Sequence, residues 1–163
     1  GVQTCALPIL HDPNNLLMQR ADGRFLEAAQ SAGIATTARS RGASLVDLNA
    51  DGRLDLVVIN RRAPMELWRN AAPQTGNWAE IEPELPGPNR RAVGAWVEIR
   101  TPLASFAQEV TVGGGHVGGK AVPLHFGLGA AQTADMRVIW PGGEVGAWQP
   151  IAINTITRVT PDP

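Results

Sequence analysis

Asp47-Leu48-Asn49-Ala50-Asp51-Gly52-Arg53-Leu54-Asp55 alternates oxygen-bearing side chains with spacers, and Leu56-Val57-Val58-Ile59 follows without a break. In a tight wrap, the side chains at the first, third, fifth and ninth places, those of Asp47, Asn49, Asp51 and Asp55, converge on one hard cation. The carbonyl of Arg53 at the seventh place adds a backbone oxygen, and Gly52 at the sixth allows the backbone angles that such a wrap demands. The expected cofactor is Ca2+, on the hardness and number of these ligands. An EF-hand would need a bidentate glutamate at the twelfth place and helices on both sides, whereas Val58 stands there and the flanks are β-formers. An acidic surface turn uses the same residue types, but the phasing of four oxygen side chains with the glycine favours the ion. Without it Asp47, Asp51 and Asp55 would repel one another, so an ion that screens them should also stabilise the fold.

Working outward, Leu56–Ile59 reads as a strand buried on both faces. Gly42–Val46 leads into the loop, and Asn15–Phe25 reads as a hairpin turning at Asp22-Gly23. Leu26–Ala32 is expected to form a turn or two of helix closed by Gly33. A weak repeat links the two ends of this region: Leu17-Met18-Gln19-Arg20-Ala21 is echoed by Leu67-Trp68-Arg69-Asn70-Ala71, and Asp22-Gly23-Arg24 by Asp51-Gly52-Arg53. Repeated strand-and-turn units suggest propeller blades, each burying its faces against neighbours. A unit or two cannot close a ring, so the ring-forming blades are expected upstream in a longer chain.

A turn-rich stretch places a boundary near residue 75. Beyond it Val93, Ala95, Val97 and Ile99 alternate with Gly94, Trp96, Glu98 and Arg100, and Phe106, Val110 and Val112 continue the pattern with Gln108 breaking it. Leu124 and Phe126 precede an expected Gly127-Leu128-Gly129 turn, Met136–Trp140 is a strand turned by Pro141-Gly142-Gly143, and Ile156–Val159 is the last. Short strands at this spacing argue for a small β-sandwich or barrel-like domain.

A formal net charge of −1 over 163 residues provides no whole-chain field for nucleic acid or an anionic membrane, and no apolar run approaches the ~20 residues of a membrane span. The one cysteine, Cys5, allows no internal disulfide. Gly114-Gly115-His116-Val117-Gly118-Gly119-Lys120-Ala121 nearly spells a phosphate-binding loop, but Ala121 replaces its magnesium-binding hydroxyl and Pro123 stands where its helix should begin. It reads instead as a glycine-rich connection, loop 113–120, from which His116 and Lys120 could still reach a ligand. His11, His116 and His125 lack zinc spacing, and no nucleophile motif is present. Glu80, Glu82 and Glu84 alternate along one strand face and read as solvated. Trp68, Trp78, Trp96, Trp140 and Trp148 suit either a carbohydrate platform or core and interface packing.

With Asp47–Asp55 followed by Leu56-Val57-Val58-Ile59-Asn60, the first half resembles an FG-GAP/VCBS repeat, the calcium-loop blade of integrin-like β-propellers. The second resembles an ASPIC/UnbV domain through Asn89-Arg90-Arg91-Ala92-Val93-Gly94-Ala95, His125-Phe126-Gly127-Leu128-Gly129 and Trp140-Pro141-Gly142-Gly143. Together they resemble the C-terminal end of the cartilage-acidic-protein-like family. The resemblance implies secreted or cell-surface proteins without catalysis, contacting a protein or glycan at the cell surface or in the matrix. It carries the calcium positions onto Asp47, Asn49, Asp51, the Arg53 carbonyl and Asp55. Where the family's glycine-rich loop commonly ends in Ser-Gln, Gly118-Gly119-Lys120 stands here, which puts ligand contact by that loop in question.

The expectation is therefore an all-β chain. Residues 1–9, which resemble translated adapter sequence, are a non-native leader; 10–75 are partial propeller blade carrying the calcium loop; 76–163 are the β domain. The expected function is a non-enzymatic extracellular interaction module, with an accessory carbohydrate-binding module of a larger surface enzyme as the alternative.

Overall fold

The computed structural model describes residues 12–20, 22–73, 76–113, 119 and 121–161. The expected leader, His11, the point near residue 75 where a boundary was placed, and most of the glycine-rich loop with His116 and Lys120 lie outside them. The described chain is all-β apart from one short helix, and none of its helices is long and apolar enough to cross a membrane.

The hairpin at the start forms as the Asp22-Gly23 turn requires. Strands β1 (Leu17–Gln19) and β2 (Phe25–Glu27) pair antiparallel, Gly23 turns at φ +80°, and Asp22 Oδ1 accepts the Arg24 amide at 3.0 Å. The helix that follows, α1 (Ala29–Ala32), is shorter than expected because Leu26 and Glu27 are taken into β2. Gly33 ends it in the left-handed conformation.

Strands β3 (Ser40–Val46), β4 (Asp55–Asn60) and β5 (Glu66–Trp68) form an antiparallel sheet in that order, with the aspartate loop joining the first two. The expectation that Leu56–Ile59 is buried on both faces is corrected: Val58 is buried, but Ile59 is 49% exposed. Leu45, beside Leu56, and Leu67, beside Val57, are also exposed, one on each face of this sheet. A three-stranded sheet covers neither face by itself, so the β-branched run is half dressed.

The second half folds as a sandwich. One sheet runs β12-β6-β9, from Ile156–Val159, Asn77–Pro83 and Leu124–Gly129; the other runs β11-β10-β7-β8, from Gln149–Ile151, Ala134–Ile139, Trp96–Arg100 and Ser105–Glu109. Alternation sends Ala79, Ile81, Val97, Ile99, Phe126, Leu128, Met136 and Val138 into one shared core. Gln108, which interrupts the apolar pattern on β8, is accommodated by donating Nε2 to the His125 carbonyl at 2.8 Å.

Gly127-Leu128-Gly129 is not the expected turn. All three residues lie in β9, with Leu128 only 3% exposed, and the chain turns after them. Gly129 takes the left-handed conformation at φ +59° where the strand ends. Gly127 stands opposite Trp78 with open space where a side chain would be, and it is at Gly76 that an added methyl group would run into the Gly129 backbone.

β12 pairs with β6 in parallel, Ile156 opposite Glu80 and Arg158 opposite Glu82. Just before it Asn154, at φ +57°, grips the Trp78 backbone: its amide donates to the Trp78 carbonyl at 2.7 Å and its Oδ1 accepts the Trp78 amide at 3.1 Å. The backbone carrying Trp78 is thereby fixed from a residue far along the chain.

Candidate metal loop and the seam beneath it

Residues 47–55 leave β3 and enter β4 without helix, wound as an oxygen-rich loop. Asp47 starts the winding. Its Oδ1 accepts the Asp51 amide at 3.1 Å and its Oδ2 the Gly52 amide at 2.6 Å, while Ala50 and Gly52 turn at φ +56° and +82°. Asp55 closes it from the far side, 3% exposed, taking the Asn70 amide on Oδ1 at 2.8 Å and the Leu48 amide on Oδ2 at 3.3 Å. Asp51 accepts the Asn49 Nδ2 at 2.9 Å and the Arg53 amide at 2.9 Å, and pairs with the Arg53 guanidinium. The Asn49 amide, with the Arg53 amide and guanidinium after it, holds the Asp51 carboxyl below the usual carboxylate range.

Asp47, Asn49, Asp51 and Asp55 thus occupy one wound loop together with the backbone of Arg53. Among the described residues, however, no three His, Cys, Asp or Glu side chains are drawn about one metal position. Three carboxylates without a counterion repel one another, and backbone amides and a guanidinium engage them instead. The donor set is all oxygen, the chemistry that calcium takes.

The loop is seated on the outward face of β6 and β9. A methyl group at Gly52 would fall inside the Trp78 indole. His125 Nε2 lies 2.9 Å from the Gly52 carbonyl, and since a carbonyl only accepts, that nitrogen carries the proton. The Trp78 and His125 rings lie parallel, with centroids 6.1 Å apart and planes within 8°. Glu80 shares this face, between Trp78 and Glu82 along β6 and directly opposite His125.

The reading of Glu80, Glu82 and Glu84 as a solvated face is therefore corrected. Glu80 is 4% exposed, whereas the side chains of Glu82 and Glu84 are 17% and 45% exposed and pair with Arg158. Burial, then the negative charges of Asp47 and Glu82, push the Glu80 carboxyl up to about 7. None of these causes is a hydrogen bond. Sequence alternation assigned Glu80 to the outward face; only the loop, some thirty residues earlier in the chain, shows that face to be covered. A tryptophan at Trp78 on the same outward face was the available signal.

A pH prediction follows for the metal-free protein. With an ordinary value near 4.5 unfolded and about 7 folded, the folded state holds a proton between these values that the unfolded state has lost. Stability from this group is full below pH 4.5 and is lost as pH rises through 7. The whole displacement is worth at most about 3.4 kcal/mol, and solvent at the carboxylate edge reduces the expected effect to about 1–2 kcal/mol. In a chelator, Glu80→Gln should raise the urea midpoint at pH 8 and leave it unchanged at pH 4. An equal effect at both would exclude titration of Glu80 as the cause.

Elsewhere, the outer face of the second sheet carries Trp96, 43% exposed, and Trp148, with the Arg100 and Arg137 guanidinia 4.4 and 4.7 Å from its ring centroid. Trp78 and Trp140 are buried.

Comparison with known proteins places this geometry in context. Residues 85–163 match the family described as ASPIC and UnbV, which spans most of the sandwich and begins after the aspartate loop. The chain is similar to cartilage acidic protein 1 of Xenopus tropicalis, 26% identical over 111 residues, 66% of this chain and 17% of that protein. It is also similar to the Homo sapiens protein of the same name, 42% identical over 57 residues, 34% of this chain and 9% of that one. The Mus musculus counterpart is 27% identical over 111 residues. The chain thus spans less than a fifth of the length of these relatives.

Proposed function

We propose that the chain is a calcium-binding, non-catalytic interaction module of the extracellular space or cell surface, in which an FG-GAP/VCBS blade adjoins an ASPIC/UnbV sandwich. The loop carries the reading: Asp47 takes two amides of its own loop and Gly52 turns it, so the phased oxygen-bearing residues share one wound segment between two strands. Asp47, Asn49, Asp51, Asp55 and the Arg53 carbonyl would hold the ion, which would neutralise the carboxylates and stiffen the loop. The relatives' name, cartilage acidic protein, supports a matrix setting, in which the partner would be a protein or glycan. Leu17, Met18, Phe25, Ile59, Met65 and Leu67, all exposed, support further blades of the same chain as the cover for the β1–β5 region.

Calcium titration followed by tryptophan emission and thermal melting tests this. At a hundredfold excess over Kd the ion should add about 2.7 kcal/mol, a rise of roughly 5–10 °C for a chain this size. Magnesium should do much less. A melt unchanged up to millimolar calcium would sink the reading.

The exposed Trp96 and the arginine-backed Trp148 favour a second reading, an accessory carbohydrate-binding module. Under it, binding on a glycan array should disappear in Trp148→Ala and persist in Asp51→Asn.

A further inference from the structure

Strand β6 is buried on both faces along Trp78–Ile81, and Glu80 is the one carboxylate enclosed there. An ionisable group is rarely held in that way unless it is paired or coordinates a metal. No described residue donates a hydrogen bond to its carboxylate, and the charge that acts on it most strongly is that of Asp47, the first residue of the loop. The loop is held over this same strand face by the Trp78 indole beneath Gly52 and by His125 on the Gly52 carbonyl. Among the described residues no fully enclosed side-chain oxygen lacks a partner, so the Glu80 carboxylate keeps an edge on solvent by which an ion can enter.

The donor count points the same way. Four side chains and one carbonyl of the loop fall short of the roughly six to eight oxygens that calcium takes. A loop that lacks a glutamate at its twelfth place, where Val58 stands, leaves room for a carboxylate from elsewhere in the chain beside water or a bidentate aspartate. Glu80 is the buried anion on the surface against which the loop lies.

We propose that Glu80, carried by the C-terminal sandwich, is a further oxygen ligand for a hard divalent cation held by the Asp47–Asp55 loop, so that the ion ties loop and sandwich together. This rests on the calcium reading above. The ion turns a desolvated, repelled carboxylate into a paired one, and the seam held by Trp78 and His125 becomes part of the site.

Terbium, sensitised through Trp78, together with calcium calorimetry on the whole chain, tests the assignment. Luminescence lifetimes in water and deuterated water count the waters bound to the ion. Glu80→Ala should bind calcium about tenfold or more weakly and hold about one additional water on terbium. Glu80→Gln, which keeps the shape, should fall between it and the wild type, and serves if the alanine variant does not fold. In a chelator at pH 8 Glu80→Gln should not melt below the wild type, since it removes an enclosed charge. Weaker binding with an unchanged water count would make Glu80 a distant charge rather than a ligand, and overturn the proposal while leaving the loop intact. Unchanged affinity and water count would do the same. Absence of ion binding by the wild-type chain would remove the loop reading itself and this inference with it.

Discussion

Gly52→Ala should lower stability by about 2–4 kcal/mol, combining the cost of a side chain at positive φ with overpacking against an indole. For a chain of this length that is a fall of roughly 5–15 °C in Tm. The position admits little relief. Gly52 is buried at φ +82°, the added methyl would overlap the Trp78 ring, and that ring sits on backbone gripped by Asn154. In a Trp78→Ala background the same substitution should cost about 1–2 kcal/mol, since only the backbone strain remains. An equal penalty in both backgrounds would show that the indole is not what excludes the methyl group.

Phe126→Ala should cost more, about 3–5 kcal/mol, by emptying the middle of the sandwich. Phe126 is 1% exposed, among the largest fully buried side chains, and lies between the two sheets. Its neighbour His125 points to the opposite face and holds the Gly52 carbonyl. Loss of the phenyl ring should therefore also weaken the hold of the sandwich on the loop, visible as a red shift of Trp78 emission before the main melt. Phe126→Leu, which keeps most of the volume, should cost less than about 1.5 kcal/mol. A loss under 1 kcal/mol for the alanine variant would mean that the sheets close over the gap.

Local signals explain what the sequence made readable. Asp22-Gly23 and Asp51-Gly52 both turn at positive φ on their glycines, and the alternation around Val97 and Ile99 places both in the core. The spacing of Asp47, Asn49, Asp51 and Asp55 points to a tight loop, and the chain runs from β3 to β4 through it. What escaped was governed by distant partners. Nothing near Glu80 indicates that a loop will lie over it. Gly127 and Gly129 look like turn residues because glycine is commonest there, yet both stay in β9, held in strand by pairing with Trp78 and Asn77, which are distant in sequence. Ile59 shows the opposite error, a strand apolar enough for two covered faces within a sheet that does not cover both.

The parallel pairing of β12 with β6 bears on the order of assembly. A polypeptide emerging from the ribosome can close the β3–β5 sheet as soon as residue 68 is out, because its partners are near in sequence. Asn77–Pro83 must wait for residues 154–159 before its second flank and the Trp78 backbone are satisfied. During vectorial synthesis that segment is an unpaired edge for some seventy residues of elongation. The aspartate loop would then gain its fixed seat only once residue 154 has emerged, so translation arrest before residue 154 should yield a nascent chain with the loop wound but undocked.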